Sequence, residues 1–226
     1  MILVFDLDDT LYDEIAFVYS GFNAVSKYLS LQFSLNEKKI LISLKHDLKN
    51  HGRGKVFDNI LQENNIYTKK LVKKCISVYR SHKPNIKITN QTEDVLKSLN
   101  LYNKYIVTDG NKIVQKNKIK ALKIGHHFKK IYITHNYGIK NSKPSTYCFH
   151  KILDDEKILD KKKLVYIGDN PYKDFVNLKN EGFKTIRIIN GHYKDIRLEK
   201  KFEAHYTIKE LNDIQKILKL VEKWKK

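Results

Sequence analysis

Residues 2–10, ILVFDLDDT, set the reading of this chain: four apolar residues run straight into Asp6, Asp8, Asp9 and Thr10. A short apolar run closed by polar residues predicts a strand buried on both faces. Similar runs recur at 104–108 (KYIVT), 131–135 (IYITH), 163–167 (KLVYI) and 184–189 (KTIRII), with segments of helical length between them. Strand, helix, strand in alternation predicts an α/β fold, a doubly wound parallel sheet covered by helices. Several of these strands end where informative polar residues begin: Asp6 and Asp8, Thr108-Asp109-Gly110, and Gly168-Asp169. Open parallel sheets bind ligands beyond the carboxyl ends of their strands, so these clusters are expected to converge.

Outward from that frame, about 70 residues separate the first strand from the second, too many for an ordinary crossover. The stretch 14–86 reads as helical throughout and is expected to form a small insert, leaving 1–13 and 87–226 as the core. Within it, 68–80 (TKKLVKKCISVYR) sets Leu71, Val72, Cys75, Val78 and Tyr79 on one stripe, with Lys69, Lys70, Lys73 and Lys74 facing away. Cys75 is read as a core residue and Cys148 as packing. The segment His51-Gly52-Arg53-Gly54-Lys55 combines flexible backbone with two cations, and reads either as a helix–helix turn or as a substrate contact. At the far end, 210–224 (ELNDIQKILKLVEKW) predicts a closing helix.

Composition narrows the function. The chain has 226 residues, 41% of them hydrophobic, enough for a sizeable core and too many for disorder. No run approaches the roughly 18 apolar residues that span a bilayer. The first residues carry three acids and no basic region, unlike an export leader, so a cytoplasmic location is expected, and two cysteines give no disulfide framework. Lys and Arg number 44 against 25 Asp and Glu, a net charge of +19. Only Arg53, Arg80, Arg187 and Arg197 are arginines, and the lysines are spread along the chain beside abundant Asn and Ile. That pattern points to residue usage and a solvated basic surface more than to a nucleic-acid face. A positive field would still raise encounter rates with anionic substrates.

The chemistry sits at the strand ends. Asp6 and Asp8, two apart, point to one face, while Asp9 points the other way. Two carboxylates about 4 Å apart repel by roughly 4 kcal/mol at an effective dielectric near 20. A divalent oxygen-seeking cation such as Mg2+ relieves that repulsion, and Asp169 offers it a third carboxylate at the end of another strand. Gly168 is expected to allow a tight turn there. Asp174, five residues on, is placed either to orient Asp169 or to hold a lysine. Thr108, Asp109 and Gly110 open the predicted helix 111–123, putting a hydroxyl and free backbone N–H groups at an anion site. Lys143 precedes Pro144, a favoured first helical residue, and so is expected at a helix start. Asp9 and Thr10 read as turn and cap residues, with Thr10 also available to steady the Asp6 loop. His126, His127, His135 and His150 show no HExxH-type pair, which argues against a zinc site.

Together, DLDDT at 6–10, TDG at 108–110, Lys143 before Pro144 and GDNPYKD at 168–174 resemble the four motifs of the haloacid dehalogenase superfamily, in the same order and across essentially the whole chain. The insert 14–86 resembles the α-helical cap of that superfamily's first subclass. The resemblance implies that Asp6 is a nucleophile forming an aspartyl-phosphate and Asp8 the general acid/base. It implies Mg2+ held by the Asp6 carboxylate, the Asp8 backbone carbonyl and Asp169, with Thr108 and Lys143 on the phosphoryl oxygens. An acid at position 8 points to phosphoryl transfer, because dehalogenating members have no alcohol leaving group to protonate. The expected enzyme is a Mg2+-dependent phosphatase acting on a small phosphorylated metabolite, a sugar, polyol or nucleoside monophosphate. The cap would close over the substrate and select it, with Arg53, Lys55, Tyr12, Asp13 and Tyr19 as candidate contacts. A phosphosugar mutase is the nearest alternative, and a nucleic-acid-binding or end-processing protein a more distant one.

Overall fold

The computed structural model describes residues 1–223. Six strands, β1 (Ile2–Phe5), β2 (Asn103–Thr108), β3 (Lys130–Ile133), β4 (Leu164–Gly168), β5 (Lys184–Ile188) and β6 (Tyr206–Ile208), form one sheet in the order β3-β2-β1-β4-β5-β6. Every pairing is parallel. β1 lies between β2 and β4, so the strand order reverses beside it, which puts the ligand crevice at the end of β1.

Burial explains why these runs become strands. All four residues of β1 and all five of β4 are buried, as central parallel strands require. One side of the sheet packs Val4, Tyr105, Val107, Tyr132 and Tyr166 against Phe149, Ile152 and Phe175. Phe149 and Phe175 flank the Tyr166 ring, the first edge-on at 4.9 Å between centroids. Helices α5 (Asn90–Ser98), α6 (Lys112–Leu122), α7 (Tyr147–Glu156) and α8 (Val176–Asn180) alternate with the strands.

The chain divides into two compact units: residues 1–14 with 87–226, which contain the sheet, and residues 15–86. The second consists of α1 (Glu14–Phe33) beyond its first residue, α2 (Glu37–His51), α3 (Val56–Glu63) and α4 (Lys69–Ser81). Its core gathers Val18, Phe22, Val25, Leu29, Ile40, Leu44, Ile60 and Leu61 around fully buried Cys75, whose thiol burial pushes up to about 11. Thr68 caps α4 by accepting from Leu71 N at 3.0 Å. Gly21 is required here, since a Cβ would collide with the Tyr79 ring.

Several sequence expectations are corrected. β6 is a sixth strand that the sequence reading missed: with an exposed Thr207 between half-buried Tyr206 and buried Ile208, it carries too little pattern to stand out. Lys143–Pro144 is a cis peptide in a turn closed by Ser145 N to Ser142 O (2.9 Å), and α7 starts only at Tyr147. Gly168 is the last residue of β4 and makes no left-handed turn; it is needed because a Cβ there would come within 2.5 Å of Asp174 Oδ2. The closing helix α9 spans Ile214–Lys223, with Leu211, Ile214, Leu218 and Val221 buried. Trp224, included in the expected helix, lies outside the described residues. Among the described residues no helix is long and apolar enough to cross a membrane.

Candidate active site

The β1–β4 ladder continues one step past the strand, Asp6 N donating to Ile167 O at 2.8 Å, and fixes where Asp6 emerges. The Asp6 side chain is buried; its Oδ1 accepts from Leu7 N at 2.8 Å and its Oδ2 lies 2.8 Å from Lys143 Nζ. The same ammonium sits 2.9 Å from Asp174 Oδ1 and donates to Tyr166 Oη at 2.8 Å. Asp174 thus holds the lysine, and its Oδ2 also accepts from Asn170 N at 2.9 Å, closing the loop after β4. Burial opposes a charge on Lys143, but Asp174 and Asp6 outweigh it and keep the ammonium charged well above its ordinary range.

Asp169 follows Gly168, and its backbone carbonyl accepts from Arg187 Nε at 3.2 Å. Its carboxyl is pushed up to about 9 by burial first, then by Asp174 and Asp6; Asp6 itself is pushed up to about 6, mainly by burial. Carboxylate oxygens of Asp6, Asp169 and Asp174 lie within 4.8 Å of one another. With Asp109, four carboxyl groups face the two ammonium groups of Lys143 and Lys173, an excess of two negative charges once all four are ionised, which burial and mutual repulsion oppose until a cation arrives. An all-oxygen donor set short of two positive charges fits a hard divalent cation such as Mg2+, with Asp6 and Asp169 the carboxylates to hold it.

Asp8 looks elsewhere. Its Oδ1 receives Lys118 Nζ at 2.7 Å and Tyr12 Oη at 2.6 Å, and its Oδ2 receives Gln115 Nε2 at 3.0 Å. Burial raises the Asp8 carboxyl, yet the Lys118 charge and these three hydrogen bonds outweigh it and hold it below the ordinary carboxylate range. Asp6 and Asp8 therefore occupy opposed environments, one raised and one lowered, a separation typical of two carboxylates with different tasks.

Thr108 ends β2, and its Oγ1 accepts from Gln115 Nε2 at 2.6 Å. Asp109 is a tie between loops: Oδ1 accepts from Lys143 N (3.1 Å) and Thr134 Oγ1 (2.8 Å), and Oδ2 from Lys173 Nζ (2.9 Å). Gly110 has φ +130°, which a side chain rarely permits. The helix-start N–H groups expected to be free are in part taken, since Asn111 Oδ1 accepts from Ile113 N and Val114 N.

The remaining candidates separate. Asp9 accepts from Glu14 N (2.8 Å) and His192 N (3.2 Å), a cap and a loop tie, while the buried Thr10 hydroxyl has no hydrogen-bond partner among the described residues. Tyr12 joins the Asp8 network; exposed Asp13 accepts from Asn190 Nδ2 at 3.1 Å. Tyr19, Arg53 and Lys55 belong to residues 15–86: Tyr19 lies on α1 under Lys45 Nζ (4.6 Å), and Arg53 and Lys55 stand in the exposed loop between α2 and α3.

Gln115, Lys118, Tyr166 and Lys173 were missed from sequence. The signal for two of them was present in α6: Gln115, Lys118 and Leu122 follow helical spacing and all are buried, so an amide and an ammonium occupy an apolar stripe. Charged groups are buried only when paired, which marks such a lysine as having a carboxylate to meet.

A family profile described as haloacid dehalogenase-like hydrolase matches residues 3–188. The chain is 29% identical to a glyceraldehyde 3-phosphate phosphatase of Methanocaldococcus jannaschii, covering 98% of each chain, and 28% identical to one of Pyrococcus furiosus, covering 96% of this chain and 92% of that one. Among solved structures it resembles magnesium-bound YfnB of Bacillus subtilis (TM-score 0.69, 18% identity, 96% and 97% of the two chains). It also resembles the 2-haloacid dehalogenase of Pseudomonas syringae (TM-score 0.66, 20% identity, 97% and 99%).

Proposed function

The chain belongs to the haloacid dehalogenase-like hydrolase family and is a phosphoric monoester hydrolase, and we propose that it dephosphorylates a small sugar phosphate through an aspartyl-phosphate on Asp6, with Mg2+ as cofactor. The observation that carries this reading is the convergence of Asp6, Lys143, Asp169 and Asp174 at the end of β1, with a second acid, Asp8, in its own separate network.

The Leu7 N–H fixes the rotation of the Asp6 carboxylate, and Lys143 is positioned to pass from that carboxylate to the oxygens of an arriving phosphoryl group. Thr108 offers its hydroxyl proton to the same oxygens. One Asp6 oxygen bonds to phosphorus as the ester P–O bond breaks, and the departing alkoxide takes a proton from Asp8. Water then attacks phosphorus, Asp8 receives its proton, and Asp6 is released with inorganic phosphate. Asp8 as found is ionised, the form needed in this second step; it serves the first step after taking up a proton. Mg2+, held by the Asp6 and Asp169 carboxylates and the Asp8 backbone carbonyl, would supply positive charge that screens the anionic substrate from the acidic pocket.

For the substrate we propose a triose phosphate. Relatives aligned over nearly the whole chain are glyceraldehyde 3-phosphate phosphatases, and phosphoryl transfer asks mainly for positioning and charge, which a small anionic substrate satisfies. The test is phosphate release from glyceraldehyde 3-phosphate, hexose phosphates and nucleoside monophosphates, with Mg2+ and with excess chelator. Mg2+-dependent release with the triose preferred supports the proposal. Return of the phosphoryl group to a second sugar hydroxyl, with no free phosphate, would make the enzyme a mutase instead.

A further inference from the structure

We propose that Glu93, His126 and His127 form a second metal site, separate from the carboxylate cluster and selective for a borderline divalent ion, Zn2+ in particular. One ligand atom from each of the three residues lies within 4.8 Å of the other two. The donors come from different elements: Glu93 from α5, and the two histidines from the 3-10 turn Gly125–His127 between α6 and β3. That turn is held by His127 N to Ile124 O (3.0 Å) and Phe128 N to Gly125 O (3.3 Å), and is pinned on either side by buried Ile124 and Phe128.

The site lies at the far end of the sheet from Asp6. The turn leads into the first residue of β3, and a surface cavity of about 570 Å3 beside both histidines is also lined by Asn103 and Lys104 at the start of β2. Thr108, at the active site, ends that strand five residues after Asn103, about 17 Å at the usual rise per residue.

The two imidazole rings lie 4.0 Å apart, and His127 Nε2 already faces Glu93 Oε2 at 3.0 Å. Donors around a tetrahedral Zn2+ sit about 3.4 Å apart given bonds of roughly 2.0–2.2 Å. Exposed His126 can close the remaining distance by rotation, and the Lys97 contact to Glu93 (3.3 Å), made by a largely exposed side chain, yields readily. The cavity leaves room for a water as fourth ligand. Two nitrogens and one oxygen suit Zn2+ and disfavour Mg2+, which demands oxygen. Sequence spacing concealed the set because the third donor sits on another helix.

The test titrates Zn2+ into the full chain by calorimetry in saturating Mg2+, which occupies oxygen-only sites, with Co2+ absorption in the visible as a second readout. One equivalent of Zn2+ is expected, bound at least tenfold more weakly by His126→Ala and by Glu93→Gln. Both variants should keep wild-type circular dichroism and Mg2+-dependent phosphate release. Equal Zn2+ affinity in the variants, absence of binding in the wild type, or loss of binding in Asp169→Asn instead would each overturn the proposal. Because the readout is metal binding, it stands or falls separately from the phosphatase reading.

Discussion

Lys118 Nζ lies 2.7 Å from Asp8 Oδ1, and the lysine side chain is only 3% exposed, so α6 delivers a buried positive charge to the proposed acid/base. Glu14 Oε1 stands 3.6 Å from the same ammonium and shares it. The pair shows how one loop holds two carboxylates in different states: Asp6 answers to Lys143 and burial, Asp8 to Lys118, Gln115 and Tyr12.

Removing that charge should disable the chemistry more than binding. Lys118→Met is expected to lower kcat about 100-fold, at the lower end of general acid–base contributions because the lysine acts through Asp8, with KM changed far less, and Lys118→Arg should recover part of the loss. Steady-state kinetics on the triose phosphate checks this. A KM effect with kcat preserved would place Lys118 in substrate binding instead.

Gly168→Ala tests how closely β4 is packed under the site. The new methyl would sit 2.5 Å from Asp174 Oδ2 and 3.1 Å from the Tyr166 ring, so Asp174 must move and loosen its hold on Lys143. Overpacking of this kind costs about 1–3 kcal/mol. Urea unfolding should show that loss together with a fall in kcat; an unchanged midpoint would mean the strand relaxes at no cost.

His205 gives a pH dependence with a definite sign. Burial, and then the charges of Lys184 and Lys179, lower its value to about 4 from an ordinary 6.5. Between those values the unfolded chain binds a proton that the folded chain refuses. Its contribution to stability is therefore complete above pH 6.5 and declines as pH falls toward 4. Urea midpoints at pH 7, 6 and 5 should fall more steeply in the wild type than in His205→Gln, and parallel declines would contradict the assignment.

What the sequence disclosed follows from how strongly each feature is patterned. β1 and β4 are legible because central parallel strands are apolar on both faces, and the strand-end motifs are legible because several acids and glycines stand together. β6 was hidden because an edge strand of three residues needs little hydrophobicity. Gln115 and Lys118 were hidden because a polar residue on a buried stripe looks like noise until its partner is found, and Asp8 is more than a hundred residues away in the chain. The two sides of the Lys143–Asp174 pair were both noticed, but that Asp174 holds this lysine came only from the folded geometry.

The central claim is that Asp6 becomes phosphorylated during turnover. Rapid acid quench of the enzyme with phosphorus-labelled triose phosphate and Mg2+, followed by peptide mapping, measures it directly. A hydroxylamine-labile phosphoryl group on the peptide containing Asp6, formed and lost at rates compatible with kcat and absent in Asp6→Asn, is the expected result. Full turnover with no label on the protein, or undiminished activity in Asp6→Asn, would contradict the account.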